Sequence, residues 1–161
     1  MSSAPTSFAE WQTYPLTLDP IHVAWLKQAK QAKTAFAVAD IEGIEISHKR
    51  FLTGVLLFAK KIKIYSPEQN VGLLLPSSGG GAIASMAILS LGKTLVNLNF
   101  TAGKKALQSA VEQAEVKHIY TSRKFIDKMY EKGDDLSSFF PDTELLFLED
   151  IKEEISTLAR L

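Results

Sequence analysis

The 161-residue sequence contains no cysteine, which excludes disulfide bonds, thiolate nucleophiles and cysteine-ligated metals. It also has no excess of charge, because 18 lysine and arginine residues balance 18 aspartate and glutamate residues. Since nucleic-acid binding requires a basic surface that neutralises phosphates, we expect no nucleic-acid partner. No apolar run is long enough to span a bilayer, and residues 1–10 lack the pattern of a secretory signal. The expected location is the cytoplasm, with peripheral attachment to the inner membrane face as the alternative.

Motifs that carry chemistry are equally scarce. The three histidines, His22, His48 and His118, are far apart in the sequence, and none has a companion at metal-ligand spacing. The sequence has no G-x-S-x-G nucleophile elbow and no H-x-x-x-x-D motif, the pattern associated with acyl transfer to glycerol phosphates. These patterns therefore name no catalytic, cofactor-binding or metal-ligating residue in the chain.

The hydrophobic pattern predicts an irregular arm over residues 1–18 and one α/β domain over residues 19–161. The first helix is predicted to begin at Asp19 and Pro20, with the Asp19 side chain as its cap, and to end near Lys33. A chain of this length can form one hydrophobic core.

A hairpin and a long amphipathic helix are predicted next. Two short strands, Phe36–Ala39 and Ile44–Ile46, flank Gly43. Ser47 is predicted to cap the helix that follows. Apolar residues recur along that helix at the spacing of one face: Phe51, Leu52, Val55, Leu56, Ala59 and Ile62.

The rest of the chain alternates unbroken apolar runs with helical segments, which predicts strands that are buried on both faces and joined by right-handed crossovers. The fold class is therefore α/β, a doubly wound and mostly parallel sheet with flanking helices. The predicted strands are Val71–Leu75, Leu95–Leu98, Lys117–Thr121 and Leu145–Leu148. The predicted helices are Gly81–Leu91, Gly103–Ala114, Arg123–Glu131 and Ile151–Ala159.

One glycine-rich run has two interpretations. It reads Gly79-Gly80-Gly81-Ala82-Ile83-Ala84 and matches a relaxed dinucleotide-binding pattern between a strand and a helix. The next strand ends in Asn97-Leu98-Asn99, without an acid for a ribose hydroxyl. We therefore favour a tight turn with close helix–strand packing, and a stand-alone nucleotide-binding domain is the alternative. Gly92-Lys93-Thr94 resembles the end of a phosphate loop but follows a helix, whose C-terminus repels phosphate.

Two helices could contact a partner. Trp11, Trp25 and the lysines of Lys27–Lys33 would suit a protein or membrane-surface module, although a packed face and a solvated face explain the first helix better. The last predicted helix has an apolar stripe at Ile151, Ile155 and Leu158, with Asp150 and Glu153 as a predicted capping box. This stripe should either fold back on the sheet or pair with a second copy of the chain.

An ordered series of short runs between about Phe36 and Asp150 resembles one family. The runs are Val71-Gly72-Leu73-Leu74-Leu75-Pro76, Asn99-Phe100-Thr101-Ala102-Gly103, Ala114-Glu115-Val116-Lys117, Tyr120-Thr121-Ser122-Arg123-Lys124-Phe125 and Leu146-Phe147-Leu148-Glu149-Asp150. Together they are similar to the amino-terminal part of adenylate-forming acyl ligases. Among these ligases, the sequence most resembles the acyl-[acyl carrier protein] synthetase part of acylglycerophosphoethanolamine acyltransferases.

The resemblance implies a parent enzyme that activates a fatty acid with ATP and Mg²⁺ as an acyl adenylate. The acyl group would then pass to the thiol of acyl carrier protein or CoA, and onward to a lysophospholipid in some members. The phosphate loop, the ribose-binding carboxylate and the catalytic lysine of such enzymes would follow Leu161. Tyr120-Thr121-Ser122 resembles the opening of a phosphate loop, but Arg123-Lys124-Phe125 replaces the glycine and hydroxyl residues that such a loop needs. This segment is therefore predicted to be a strand end followed by a helix cap. We therefore expect the chain alone to be inactive and the remainder of the ligase to be its partner.

Overall fold

The computed structural model describes residues 19–40 and 45–158, with the side chains of residues 157 and 158 left aside. The predicted arm at residues 1–18 and the predicted strand residue Ile44 lie outside the described residues. The division of the chain into an arm and a single domain stays a prediction.

The first half of the described chain begins with helix α1 (Ile21–Gln31). Strands β1 (Phe36–Ala39) and β2 (Glu45–Ser47) then pair antiparallel, as the predicted hairpin requires. Helix α2 (His48–Tyr65) follows β2 directly, and its cap is Ser47, whose hydroxyl accepts a hydrogen bond from the Arg50 amide at 3.4 Å.

The second half alternates strands and helices. The strands are β3 (Asn70–Leu73), β4 (Thr94–Asn97), β5 (His118–Thr121) and β6 (Glu144–Phe147). The helices are α3 (Gly79–Ser90), α4 (Lys104–Gln113), α5 (Arg123–Glu131) and α6 (Leu148–Leu158). Short 3₁₀ turns occupy Phe100–Ala102 and Leu136–Phe139.

The four later strands form one parallel sheet in the order β4-β3-β5-β6. From β3 the chain first crosses to β4 on one side and then returns past β3 to β5 on the other side. The sheet is therefore doubly wound, as predicted, and its direction of winding reverses between β3 and β5.

Alternate residues of each strand supply two hydrophobic clusters on opposite faces of the sheet. In β5, for example, Tyr120 belongs to the cluster that packs against α2, α3 and α6, whereas Ile119 belongs to the cluster that packs against α4 and α5. Both residues are completely buried. This two-sided burial explains why the strands lack a polar–apolar alternation.

Three sequence-based predictions about helix ends and faces were wrong. The cap position of α1 is Pro20 without a side-chain cap, and Asp19 pairs instead with Lys27. Leu56 was predicted to lie on the packed face of α2, but it is 56% exposed, because the face that packs against the first hydrophobic cluster includes Phe58 instead. The capping box at Asp150 fails because α6 already begins at Leu148, immediately after β6.

The terminal helix α6 packs against the first cluster. Ile151 is buried, and Ile155 packs beside it, so this part of the predicted stripe folds back on the domain. The side chain of Leu158 lies outside the described residues, and pairing of α6 with a second copy stays a prediction. Within the described residues, no helix combines the length and the apolar character that crossing a membrane would take.

Candidate functional site

The carboxyl edge of the parallel sheet is the candidate site, because ligands of open α/β sheets bind there, next to the point where the winding reverses. A cleft of about 650 Å³ opens at this edge. Residues from the ends of β1, β3 and β4 and from the first turns of α3 line it. Its polar side chains include Asp40, Ser85 and Asn97.

The glycine-rich run lies at this edge and opens α3. The amide of Gly79 donates to a carboxylate oxygen of Asp40 at 3.4 Å, and the amide of Gly81 donates to the hydroxyl of Ser78 at 3.1 Å. A Cβ atom at Gly79 would come within 3.0 Å of the Ile46 side chain. The glycines thus allow close packing around the turn, as the favoured interpretation predicted. A phosphate at this helix start would meet the Asp40 carboxylate.

The start of α5 at the same edge is occupied in a similar way. The Arg123 amide donates to a carboxylate oxygen of Glu149 at 3.0 Å, and the hydroxyl of Ser122 accepts from the Phe125 amide at 3.1 Å. In this segment, which resembles the opening of a phosphate loop, two first-turn amides are therefore hydrogen-bonded to side chains of the chain itself. As predicted, Ser122 is a helix cap.

The Arg123 side chain links α5 to α6. Its guanidinium makes two hydrogen bonds to the Asp150 carboxylate, at 2.6 and 2.7 Å, and lies 4.4 Å from the centre of the Phe147 ring. These hydrogen bonds lower the pKa of Asp150 and raise the pKa of Arg123 from their ordinary values. Because the arginine already has a bidentate carboxylate partner, a second anion would have to compete for it.

The three histidines lie on different elements. His22 is on α1, and His48, at the start of α2, accepts a hydrogen bond at Nδ1 from the Trp25 indole at 3.2 Å. His118, at the start of β5, lies 2.9 Å from a Glu68 oxygen and 3.4 Å from a Glu144 oxygen. Within residues 19–40 and 45–158, no group of three or more potential ligand side chains could hold a metal ion.

The Gly92-Lys93-Thr94 run makes a connection between α3 and β4. Gly92 has a positive φ of 71°, which permits the reversal after the helix. The Lys93 ammonium donates to the backbone carbonyls of Pro67 and Glu68, and the Thr94 amide donates to the Gln69 carbonyl. These contacts fasten the loop that precedes β3 to the start of β4.

Two polar clusters could not be predicted from the sequence, because their members are distant in sequence. The hydroxyls of Ser66 and Tyr120 are 2.9 Å apart in the buried interior. Glu154 on α6 accepts hydrogen bonds from Lys61 at 2.6 Å and from Tyr65 at 2.7 Å. These bonds, that from Lys61 first, lower the pKa of Glu154. No local motif links residues 54 or 93 positions apart.

The fold has close counterparts among solved structures, although no protein-family model matches the sequence. The N-terminal subdomain of Klebsiella oxytoca NpsA superimposes with a TM-score of 0.68 at 12% identity, covering 86% of this chain and 34% of that one. VinN, in complex with 3-methylaspartate, gives a TM-score of 0.70 at 14% identity, covering 88% of this chain and 38% of that one. The nonribosomal peptide synthetase FmoA3 gives 0.64 at 17% identity, covering 86% and 16%.

This chain has the fold of about a third of the NpsA N-terminal subdomain. The α/β prediction, with its mostly parallel sheet, is thereby confirmed. The chain spans a little over a third of the length of the NpsA and VinN structures. At these identities the likeness concerns the fold alone.

Proposed function

We propose that the chain is the amino-terminal scaffold of an ATP-dependent ligase that activates a fatty acid as an acyl adenylate. The acyl group would pass to the thiol of acyl carrier protein or CoA, and in some settings onward to a lysophospholipid. The observation that supports this proposal most strongly is the superposition of 86–88% of the chain on NpsA and VinN. The NpsA structures include complexes with 3-hydroxybenzoyl-AMSN and 3-hydroxyanthranilyl-AMSN.

The choice of a fatty acid rests on the sequence resemblance and not on the structural neighbours. The neighbours are described with aspartate, 3-methylaspartate, α-methyl-L-serine-AMP or aryl groups. The runs Asn99–Gly103 and Tyr120–Phe125 are the ones that favour an acyl-[acyl carrier protein] synthetase. A carrier partner gains support from an artificially fused adenylation–PCP di-domain of NpsA and ThdA, because 87% of this chain superimposes on 25% of that one.

The way the carboxyl edge is filled supports the scaffold role. At the two helix starts that the run of glycines and Ser122 suggested for phosphate, two first-turn amides of each helix are bound by side chains of the chain itself. They are the amides of Gly79 and Gly81 in α3 and those of Arg123 and Phe125 in α5. We therefore expect ATP and Mg²⁺ to bind residues of the parent enzyme outside residues 1–161, and we expect the chain alone to be inactive.

An ATP–pyrophosphate exchange assay tests this function. The natural reading frame that contains this chain would be expressed in full, beside residues 1–161 alone, and each product would be offered fatty acids, amino acids and aryl acids. We expect exchange that depends on fatty acids in the full product and none in the short one. Preferential exchange with amino or aryl acids would contradict the fatty-acid assignment, and exchange by residues 1–161 alone would contradict the scaffold role.

Calorimetry separates the scaffold from a stand-alone nucleotide-binding domain. Residues 1–161 would be titrated with ATP, NAD and FAD, and we expect no binding because Asp40 and Ser78 already accept the amides of Gly79 and Gly81. Micromolar binding of any of the three, lost in a Gly81→Val variant that remains folded, would favour the stand-alone domain.

A further inference from the structure

The outward face of α2 combines lysines with exposed apolar side chains. Leu56 and Ile64 are 56% and 68% exposed, although both are large and aliphatic. Lys49, Lys60 and Lys63 are exposed on the same helix. At 100° per residue, all five side chains point within about 60° of one direction, opposite to the buried face. We call these five residues the outward stripe.

The outward stripe is a concentrated positive charge in a chain that is neutral overall. Helix α2 contains five lysine and arginine residues and no aspartate or glutamate over its 18 residues. In the described part of the chain, the three lysines of the stripe form no ion pair. The stripe therefore complements a negatively charged surface.

A shallow groove of about 470 Å³ adds apolar surface beside the stripe. It runs between α2 and the C-terminal end of α3 and is lined by Leu56, Leu57, Ala59 and Leu91 together with Lys60 and Lys63. The lysine stems are themselves apolar and can lie along such a surface while their ammonium groups reach an anionic layer. The hydroxyl of Thr53, which also lines the groove, is already donated to the Lys49 carbonyl at 3.0 Å.

The residue types of the stripe favour a lipid surface over a protein partner. Protein interfaces are enriched in tyrosine, tryptophan and arginine and depleted in lysine. Apart from Thr53, the exposed side chains that point in the direction of the stripe are lysines and aliphatic residues. Lysine acts as a point charge without the directional hydrogen bonding of arginine, which suits headgroups that have no fixed arrangement. Helices that lie in a membrane interface also contain lysine and leucine, although on opposite faces, whereas the stripe has both kinds on one face.

We propose that the outward stripe of α2 docks the chain on an anionic lipid surface, with Leu56 and Ile64 inserted among the headgroups and the lysines paired with lipid phosphates and carboxylates. This differs from the membrane-facing helix that the sequence suggested. In α1, the Trp25 ring packs edge-on against Phe51 at 5.0 Å and therefore faces the protein. The docking does not depend on the proposed ligase activity.

Vesicle co-sedimentation tests the docking. The probes are vesicles of pure phosphatidylcholine and vesicles with about 30% phosphatidylserine, each at about 50 and 500 mM salt. We expect the chain to bind the phosphatidylserine vesicles at low salt, to be released at high salt and to bind phosphatidylcholine poorly. Equal binding to both vesicles, or no binding to either, would overturn the proposal.

Paired variants locate the contact on α2. Lys60→Gln with Lys63→Gln should lower vesicle partitioning about 25-fold, since each lysine near an anionic surface contributes about fivefold. The matched control, Lys128→Gln with Lys132→Gln, removes the same charge from exposed positions at the end of α5 on the other face of the sheet and should leave partitioning within about twofold of the parent chain. An equal loss in both pairs would show a general charge effect and overturn the proposal.

Leu56→Ser with Ile64→Ser tests the apolar contribution. We expect weaker binding to phosphatidylserine vesicles and an unchanged monomer in sedimentation velocity, with folding checked by circular dichroism. If the parent chain sediments as a dimer that this variant dissociates, the stripe is an interface between two copies, and the lipid proposal is wrong.

Discussion

Replacing Tyr120 with phenylalanine should destabilise the domain because the Ser66 hydroxyl loses its hydrogen-bond partner. The Tyr120 and Ser66 hydroxyls lie 2.9 Å apart, and both residues are 0% exposed. Phenylalanine keeps the ring that meets Phe58 edge-on at 5.4 Å, so the packing loss is small. The Ser66 hydroxyl, however, loses its partner in a site that water does not reach, which costs about 1–3 kcal/mol.

Urea and thermal unfolding at neutral pH measure this cost. The midpoint of thermal unfolding should fall by about 2–4 °C for each kcal/mol in a domain of this size. The double variant Tyr120→Phe with Ser66→Ala removes both hydroxyls, and we expect it to recover most of the lost stability, because two matched apolar groups leave no buried polar atom unpaired. A double variant that is no more stable than Tyr120→Phe would refute this reasoning.

The same tyrosine predicts how stability changes in alkali. Burial raises the pKa of Tyr120 to about 12, whereas an exposed tyrosine titrates near 10. Between these values the unfolded chain releases a proton that the folded chain retains, so the free energy of unfolding falls by about 1.4 kcal/mol per pH unit. Below this range Tyr120 stays protonated in both states and contributes no pH dependence. Tyr120→Phe lacks this loss, and its stability should approach that of the parent chain above about pH 10. Parallel pH curves for the two proteins would contradict the prediction.

Two further substitutions test packing and charge. Gly72→Ala would place a Cβ atom 2.7 Å from the Ile119 Cγ1 atom and should lower the free energy of unfolding in urea by about 1–3 kcal/mol. The control Gly80→Ala, on exposed helix surface, should be neutral or stabilising. A Gly72→Ala variant as stable as the parent would show that β3 and β5 can separate. Arg123 lowers the pKa of Asp150, so the stability that this carboxylate contributes is present at neutral pH and lost as the pH falls through the lowered pKa. Asp150→Asn should therefore be less stable than the parent at neutral pH and equal to it in acid, and a difference that persists in acid would contradict this account.

The sheet could be predicted from the sequence because its signal is local. Each strand centres on apolar residues, such as Ile119 and Tyr120 in β5, which was predicted one residue longer. Each connection contains a helical segment, and a parallel sheet follows from the alternation of the two. The bounds of β1 and α5 were predicted without error, and the ends of the other elements differed by up to three residues, since the ends depend on capping bonds and not only on hydrophobicity.

The sequence alone could not predict which face of a helix packs against the sheet, or which side chains distant in sequence form pairs. Both Leu56 and Phe58 fit an apolar stripe on α2, and only the position of the sheet decides that Phe58 packs against Tyr120 while Leu56 faces outward. Asp19 had the right residue type for a cap, but its carboxylate pairs with Lys27, about two turns further along the chain. A cap and an ion pair compete for the same side chain, and a separation of eight residues lies outside the i,i+3 and i,i+4 pairings that a sequence can indicate.

Two motifs at the candidate site resemble anion sites although amides at their helix starts are already bonded. Glycines before a helix and a serine after a strand both suggest anion binding, because first-turn amides have no partner within the helix. In this fold the partners come from other segments: Asp40 from the end of β1 reaches α3, and Glu149 from α6 reaches α5. Both are carboxylates, so the positive ends of the two helices are already balanced by negative charge. An anion at this edge would have to displace a carboxylate that the fold holds in place, and this is the physical reason to expect phosphate binding on other residues of the parent enzyme.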